Sequence, residues 1–167
     1  MQKEIKLNEK IFIAGSNGMV GNAIKKSLIK SGYGLYENKG SLLTPSRAEL
    51  NLLNFEDVES WFSKNKPTIV ILAAAKVGGI QANNSMPADF ILENLKIQTN
   101  VIENSWKANV KRFLFLGSSC IYPKFAKQPI KEDSLLESCL ESTNEWYAIA
   151  KIAGLKLCEA LRKQHEF

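Results

Sequence analysis

Apolar and polar positions along this chain alternate between two kinds of pattern. Short, nearly continuous apolar runs stand at Ile11–Ala14, Thr68–Ala73 and Arg112–Leu116. Such runs mark strands buried on both faces of a parallel sheet. Between them lie stretches with helical spacing. Residues 18–30 place Val20, Ile24, Leu28 and Ile29 on one face, and 55–64 do the same with Phe55, Val58 and Phe62. The longest such stretch, about 87–107, opens on Pro87 and carries Phe90, Ile91, Leu95, Val101, Ile102 and Trp106. The last, about 145–163, carries Ala150, Ala153, Gly154, Leu157 and Leu161. A further strand is expected around Gly40–Thr44 after a turn at 37–40, a loop over Ala74–Pro87, and irregular chain over 117–144. Residues 1–9 read as a frayed lead-in.

Strands alternating with helices give βαβ units with right-handed crossovers. The pattern therefore predicts a doubly wound parallel α/β sheet of Rossmann type, with residues 1–167 forming one nucleotide-binding domain. No apolar run reaches membrane-spanning length, and the polar start lacks the apolar segment of a signal peptide. A cytoplasmic protein is the expectation. The 45% hydrophobic and 23% charged content is ordinary for a globular chain. The net charge of +5 comes from scattered lysines, which favours solvated faces over a nucleic-acid surface. Three cysteines without Cys-x-x-Cys spacing argue against a disulfide framework or zinc site. The single histidine, His165, reads as exposed.

Candidate chemistry gathers at the predicted strand ends, where open α/β sheets bind ligands. After the first strand come Gly15, Gly18 and Gly21. They suit, in turn, a sharp exit from the strand, close approach of backbone to a pyrophosphate, and close packing of the helix on the sheet. The helix start adds free N–H groups and a partial positive charge. Ala73–Gly79 offers small side chains over which a cofactor can lie. Gly117-Ser118-Ser119-Cys120-Ile121-Tyr122-Pro123 follows the last strand. Tyr147 and Lys151, four apart, share a helix face. An ammonium there is expected to lower the tyrosine pKa, and a tyrosine so tuned can pass a proton to a carbonyl oxygen.

The order Gly-x-x-Gly-x-x-Gly, Ser, Tyr-x-x-x-Lys resembles the extended short-chain dehydrogenase/reductase family. Gly18–Gly21, Glu49–Leu53, Ala73–Gly79, Gly117–Pro123 and Tyr147–Gly154 resemble its GDP-L-fucose synthase branch. That resemblance implies an NADP(H) cofactor and a GDP-linked deoxy-ketosugar substrate. The pyrophosphate would rest on Gly15, Ser16, Asn17, Gly18, Met19, Val20 and Gly21. Arg47 would meet the 2′-phosphate, and Asn51 and Leu52 the adenine. Leu116, Gly117, Ser118 and Ser119 would line the nicotinamide side. Ser118 and Tyr147 would act on the sugar C4 oxygen, and Lys151 would bind the nicotinamide ribose. Cys120 would move protons during epimerisation; otherwise it is a small buried hydrophobe. The resemblance also implies a homodimer paired through the helices at 87–107 and 145–163.

There are departures. Ser16-Asn17 stands where the family often has His-Arg. Residues 32–43 look longer than the family's connection, and Trp146 replaces a usual proline. The family chain also continues well beyond Phe167. A truncated domain without its substrate half is therefore expected, inactive or weakly active by itself. The alternatives are another NAD-dependent nucleotide-sugar epimerase or dehydratase, and a non-catalytic nucleotide-binding or dimerisation module.

Overall fold

A computed structural model describes residues 4–167. Four parallel strands, β1 (Lys10–Ala14), β2 (Ser41–Leu43), β3 (Ile69–Leu72) and β4 (Arg112–Phe115), lie in the order β2-β1-β3-β4. The chain leaves β1 toward β2, then crosses back over β1 to β3 and continues to β4. The direction of travel therefore reverses between β1 and β3. That reversal opens a crevice at the carboxyl ends of those strands.

Alternation along β1 and β3 divides the core in two. Phe12, Ala14, Val70 and Leu72 face α2 (Phe55–Asn65), α4 (Pro87–Lys107) and α5 (Glu145–His165), together with Val58, Phe62, Val101 and Ile102. Ile11, Ile13, Ile69 and Ile71 face the other way, toward Ile24 and Leu28 of α1 (Met19–Lys30). Helices thus cover both faces, as the doubly wound expectation requires.

Several expectations need correction. The lead-in is tied down over its described part: Ile5 packs on the second cluster, the Tyr33 hydroxyl donates to the Ile5 carbonyl at 2.8 Å, and Glu9 pairs with Lys111. Residues 1–3 lie outside the described residues. Within the expected loop 74–87, Ile80–Ser85 forms a short helix, α3, whose Asn83 amide donates to the Gly78 and Gly79 carbonyls. Val20 and Ile29 are nearly half exposed, and α1 meets the sheet cluster through Ile24 and Leu28. β4 is the edge strand of the sheet, and Leu114 stands 50% exposed, with no helix among the described residues covering that side of it. Among the described residues, no helix is long and apolar enough to cross a membrane.

Candidate active site

The crevice is walled on one side by the turn out of β1. Gly15 has φ +85°, and a side-chain carbon there would lie 2.6 Å from the Ala74 backbone nitrogen. The residue must therefore be glycine for two independent reasons: the left-handed backbone and the close passage of the segment after β3. Gly21 is excluded from carrying a side chain differently. A carbon there would sit 2.1 Å from the Gly15 carbonyl oxygen. It packs the helix against the turn itself rather than against the sheet, as the spacing suggested. Gly18 is the N-cap of α1 and supplies no side-chain cap, and the first turn holds no acidic residue. The Gly18 N–H is taken by the Gly15 carbonyl at 3.0 Å, while the helix start beyond it has no side-chain acceptor, and Met19 and Val20 present their side chains to solvent beside it. Ser16 is buried, with its hydroxyl unpartnered. An uncapped helix start, a turn closed to side chains at Gly15 and Gly21, and an orphaned hydroxyl fit a bound pyrophosphate.

The adenine-side candidates form a separate group beyond β2. Arg47 is exposed in the turn after that strand. The Asn51 side-chain oxygen accepts from the Leu53 N–H at 3.2 Å, and the Leu52 carbonyl accepts from Asn100 of α4 at 2.9 Å.

The opposite wall is built at the end of β4 and on α5. Ser118 Oγ accepts from the Cys120 N–H at 3.3 Å, starting a single helical turn over Ser119–Ile121. Cys120 Sγ receives the Asn144 amide at 3.2 Å, and the oxygen of that amide is buried without a partner. Tyr147 and Lys151 project from the first turns of α5. Lys151 is 4% exposed, and its Nζ donates to the Leu116 carbonyl at 2.9 Å while lying 4.8 Å from the Phe115 ring centroid. Ser118, Cys120, Tyr147 and Lys151 are thus brought together as the sequence predicted. An open depression of about 750 Å³ adjoins them, lined by Ser118, Tyr122, Glu132 and Glu159 among others.

The electrostatics differ from expectation in one respect. Burial raises the Tyr147 pKa, the Cys120 thiolate pushes it the same way, and a hydrogen bond with Ser118 pulls it back. The lysine does not reverse this: its Nζ is held at the Leu116 carbonyl, 5.8 Å from the Tyr147 ring centroid. Burial instead lowers Lys151 itself to about 8. The tyrosine therefore keeps its proton, as a proton donor requires.

Three polar residues escaped the sequence reading. Asn94 and Gln98, on the inward face of α4, are 2% and 3% exposed, and Asn144 holds the thiol. The signal for the first two was present: amides at positions i and i+4 within the stripe that holds Phe90, Val101 and Ile102.

Fold and crevice together define a dinucleotide-binding α/β domain with a Ser-Tyr-Lys wall. Residues 11–167 match the NAD dependent epimerase/dehydratase family, and the chain belongs to that family. It is 60% identical over 156 residues to GDP-L-fucose synthase 1 of Arabidopsis thaliana, covering 93% of this chain and 46% of the relative. Among solved structures it resembles a GDP-mannoheptose C4 reductase from Campylobacter jejuni with NADP bound. There the TM-score is 0.90 and the identity 40%, over 98% of this chain and 50% of that one. A GDP-D-glycero-L-gluco-heptose synthase from the same organism, solved in the presence of NADPH, gives the same TM-score and identity over 98% and 46%. The chain spans about half the length of the curated relatives it matches.

Proposed function

We propose that the chain is the cofactor-binding half of an NADPH-dependent enzyme. That enzyme converts GDP-4-dehydro-6-deoxy-D-mannose to GDP-L-fucose in the cytoplasm, by epimerisation at C3 and C5 and reduction at C4. The glycine turn and Ser16 hold the pyrophosphate, Arg47 the 2′-phosphate, and Asn51 and Leu52 flank the adenine. Leu116–Ser119 line the nicotinamide side, and Lys151 holds the nicotinamide ribose. NADPH, when bound, supplies the hydride. Ser118 holds the C4 ketone oxygen and Tyr147 gives it a proton. Cys120 exchanges protons at the carbons beside that ketone.

The observation that carries this reading is the convergence of Cys120 with Ser118 and Tyr147. A simple reductase needs the serine, tyrosine and lysine alone; the thiol adds a group suited to moving protons next to the ketone. Similarity to GDP-L-fucose synthase 1 of Arabidopsis thaliana at 60% identity supports it further. Reduction of a different GDP-linked ketosugar is a second reading, favoured by the 40% identity to the GDP-mannoheptose C4 reductase. Because relatives carry a second half, residues 1–167 alone are not expected to turn over. The test is to join this chain to the second half of the Arabidopsis relative and supply NADPH with each ketosugar. NADPH consumption with the deoxymannose ketone, abolished by Tyr147→Phe, supports the reading. Consumption with the heptose ketone alone favours the second.

Self-association through α4 and α5 is part of the same proposal. Phe90, Val101 and Ile102 of α4 are buried in the chain's own core and are not free for a partner. Leu92 on α4 and Trp146 and Ile149 on α5 remain 40–52% exposed and offer the apolar surface for a two-fold pairing. Sedimentation of a monomer at high concentration would oppose it.

A further inference from the structure

Helix α4 packs on α5 and is hydrogen-bonded to both walls of the crevice. Asn94 Oδ1 accepts from the Lys76 N–H at 2.9 Å, and Asn94 Nδ2 donates to the Lys76 carbonyl at 2.9 Å. One buried amide thus grips one residue of the segment after β3 from both sides, while also donating to Phe90 of its own helix at 2.7 Å. Two residues before Lys76, Ala74 presses against Gly15 at the cofactor turn. One helical turn further along α4, Gln98 Nε2 donates to the Ala150 carbonyl at 2.5 Å. Ala150 immediately precedes Lys151. The same amide lies against Gly154, where a side-chain carbon would come within 2.8 Å of it.

Two amides four residues apart on one helix face therefore bind the main chains of opposite walls. Both are buried, and an amide is retained in an apolar interface only if its hydrogen bonds are made. A side-chain grip on main chain fixes position in a way that apolar packing does not, because the bonds are lost with a small slip.

We propose that Asn94 and Gln98 are positioning residues that set the separation between the Ala73–Gly79 segment and the Tyr147–Lys151 face of α5. They thereby set the place of the nicotinamide half of the cofactor. This rests on the reading of the crevice as an NADP(H) site. Neither residue touches the cofactor; each acts through main chain. The adenosine half, at Arg47, Asn51 and Leu52, lies outside the two grips.

The test uses two ligands. NADPH spans both halves of the site, whereas adenosine 2′,5′-bisphosphate occupies the adenosine half and the adjoining phosphate position on the glycine turn and leaves the nicotinamide half empty. Asn94→Leu and Gln98→Met keep side-chain bulk and remove the bonds. Each variant is titrated well below its melting temperature, with folding checked by circular dichroism. Each should weaken NADPH on the order of tenfold and leave the bisphosphate within about twofold of wild type. A merely structural role lowers the melting temperature and leaves that ratio unmoved. If Asn94→Leu fails to fold, Asn94→Asp serves in its place, since it keeps the acceptor and loses the donor. Equal losses for both ligands, or no loss for either, overturn the proposal while leaving the cofactor site standing. A wild-type protein that binds neither ligand overturns the cofactor reading and this proposal with it.

Discussion

Lys151 does not point freely into the crevice; its ammonium donates to the Leu116 main-chain carbonyl at 2.9 Å. The bond joins α5 to the residue that follows β4, so the lysine fastens together the two elements that carry Tyr147 and Ser118. It also compensates a charge that is otherwise costly to bury.

The first prediction follows from that burial. The folded pKa of Lys151, about 8, lies below its ordinary 10.5. Between those values the unfolded chain holds a proton that the folded chain has released, so stability rises with pH across this window. Below about pH 8 the full penalty applies, on the order of 3 kcal/mol. In Lys151→Met the penalty is absent. The stability of wild type relative to Lys151→Met, from urea unfolding, should therefore increase between about pH 8 and pH 10.5. A flat difference would contradict the assignment.

A second prediction concerns Ser118. Its hydrogen bond lowers a Tyr147 pKa that burial and the Cys120 thiolate raise. Ser118→Ala should therefore move the tyrosine still higher, and Cys120→Ala should move it down. Ultraviolet titration, with Tyr147→Phe subtracted to isolate this phenol, measures both. Opposite signs would show that the neighbours act otherwise.

A third concerns the turn. In Gly21→Ala the added carbon would meet the Gly15 carbonyl at 2.1 Å, a backbone atom that cannot swing aside. Overpacking of this kind should cost about 3 kcal/mol in urea unfolding and weaken NADPH together with it. An unchanged midpoint would mean that helix and turn part more easily than the packing implies.

These sites differ in how legible they were. The glycine turn, Ser118 and Cys120 could be placed from spacing and resemblance because each belongs to a short local motif at a strand end, and Tyr147 and Lys151 because four-residue spacing puts them on one face of α5. The buried strands β1 and β3 were equally plain, being apolar on both faces. β4 read the same way, but burial depends on what lies alongside, and Leu114 has no cover. The sign of the Tyr147 shift was lost for a related reason. Four-residue spacing places Lys151 on the same face, yet where its ammonium ends depends on Leu116, distant in sequence. Asn94 and Gln98 were hidden because their partners, Lys76 and Ala150, are joined to them by tertiary structure alone.

Binding of NADP(H) in this crevice is measured by calorimetric titration of NADPH and NADH. Arg47 stands exposed after β2, with no acidic residue clearly placed at the end of that strand to hold a free ribose hydroxyl. Wild type should bind one NADPH per chain and prefer it to NADH. Arg47→Ala should lose most of that preference through weaker NADPH binding, with NADH little changed. Absence of NADPH binding, or equal losses for the two cofactors, would contradict the account.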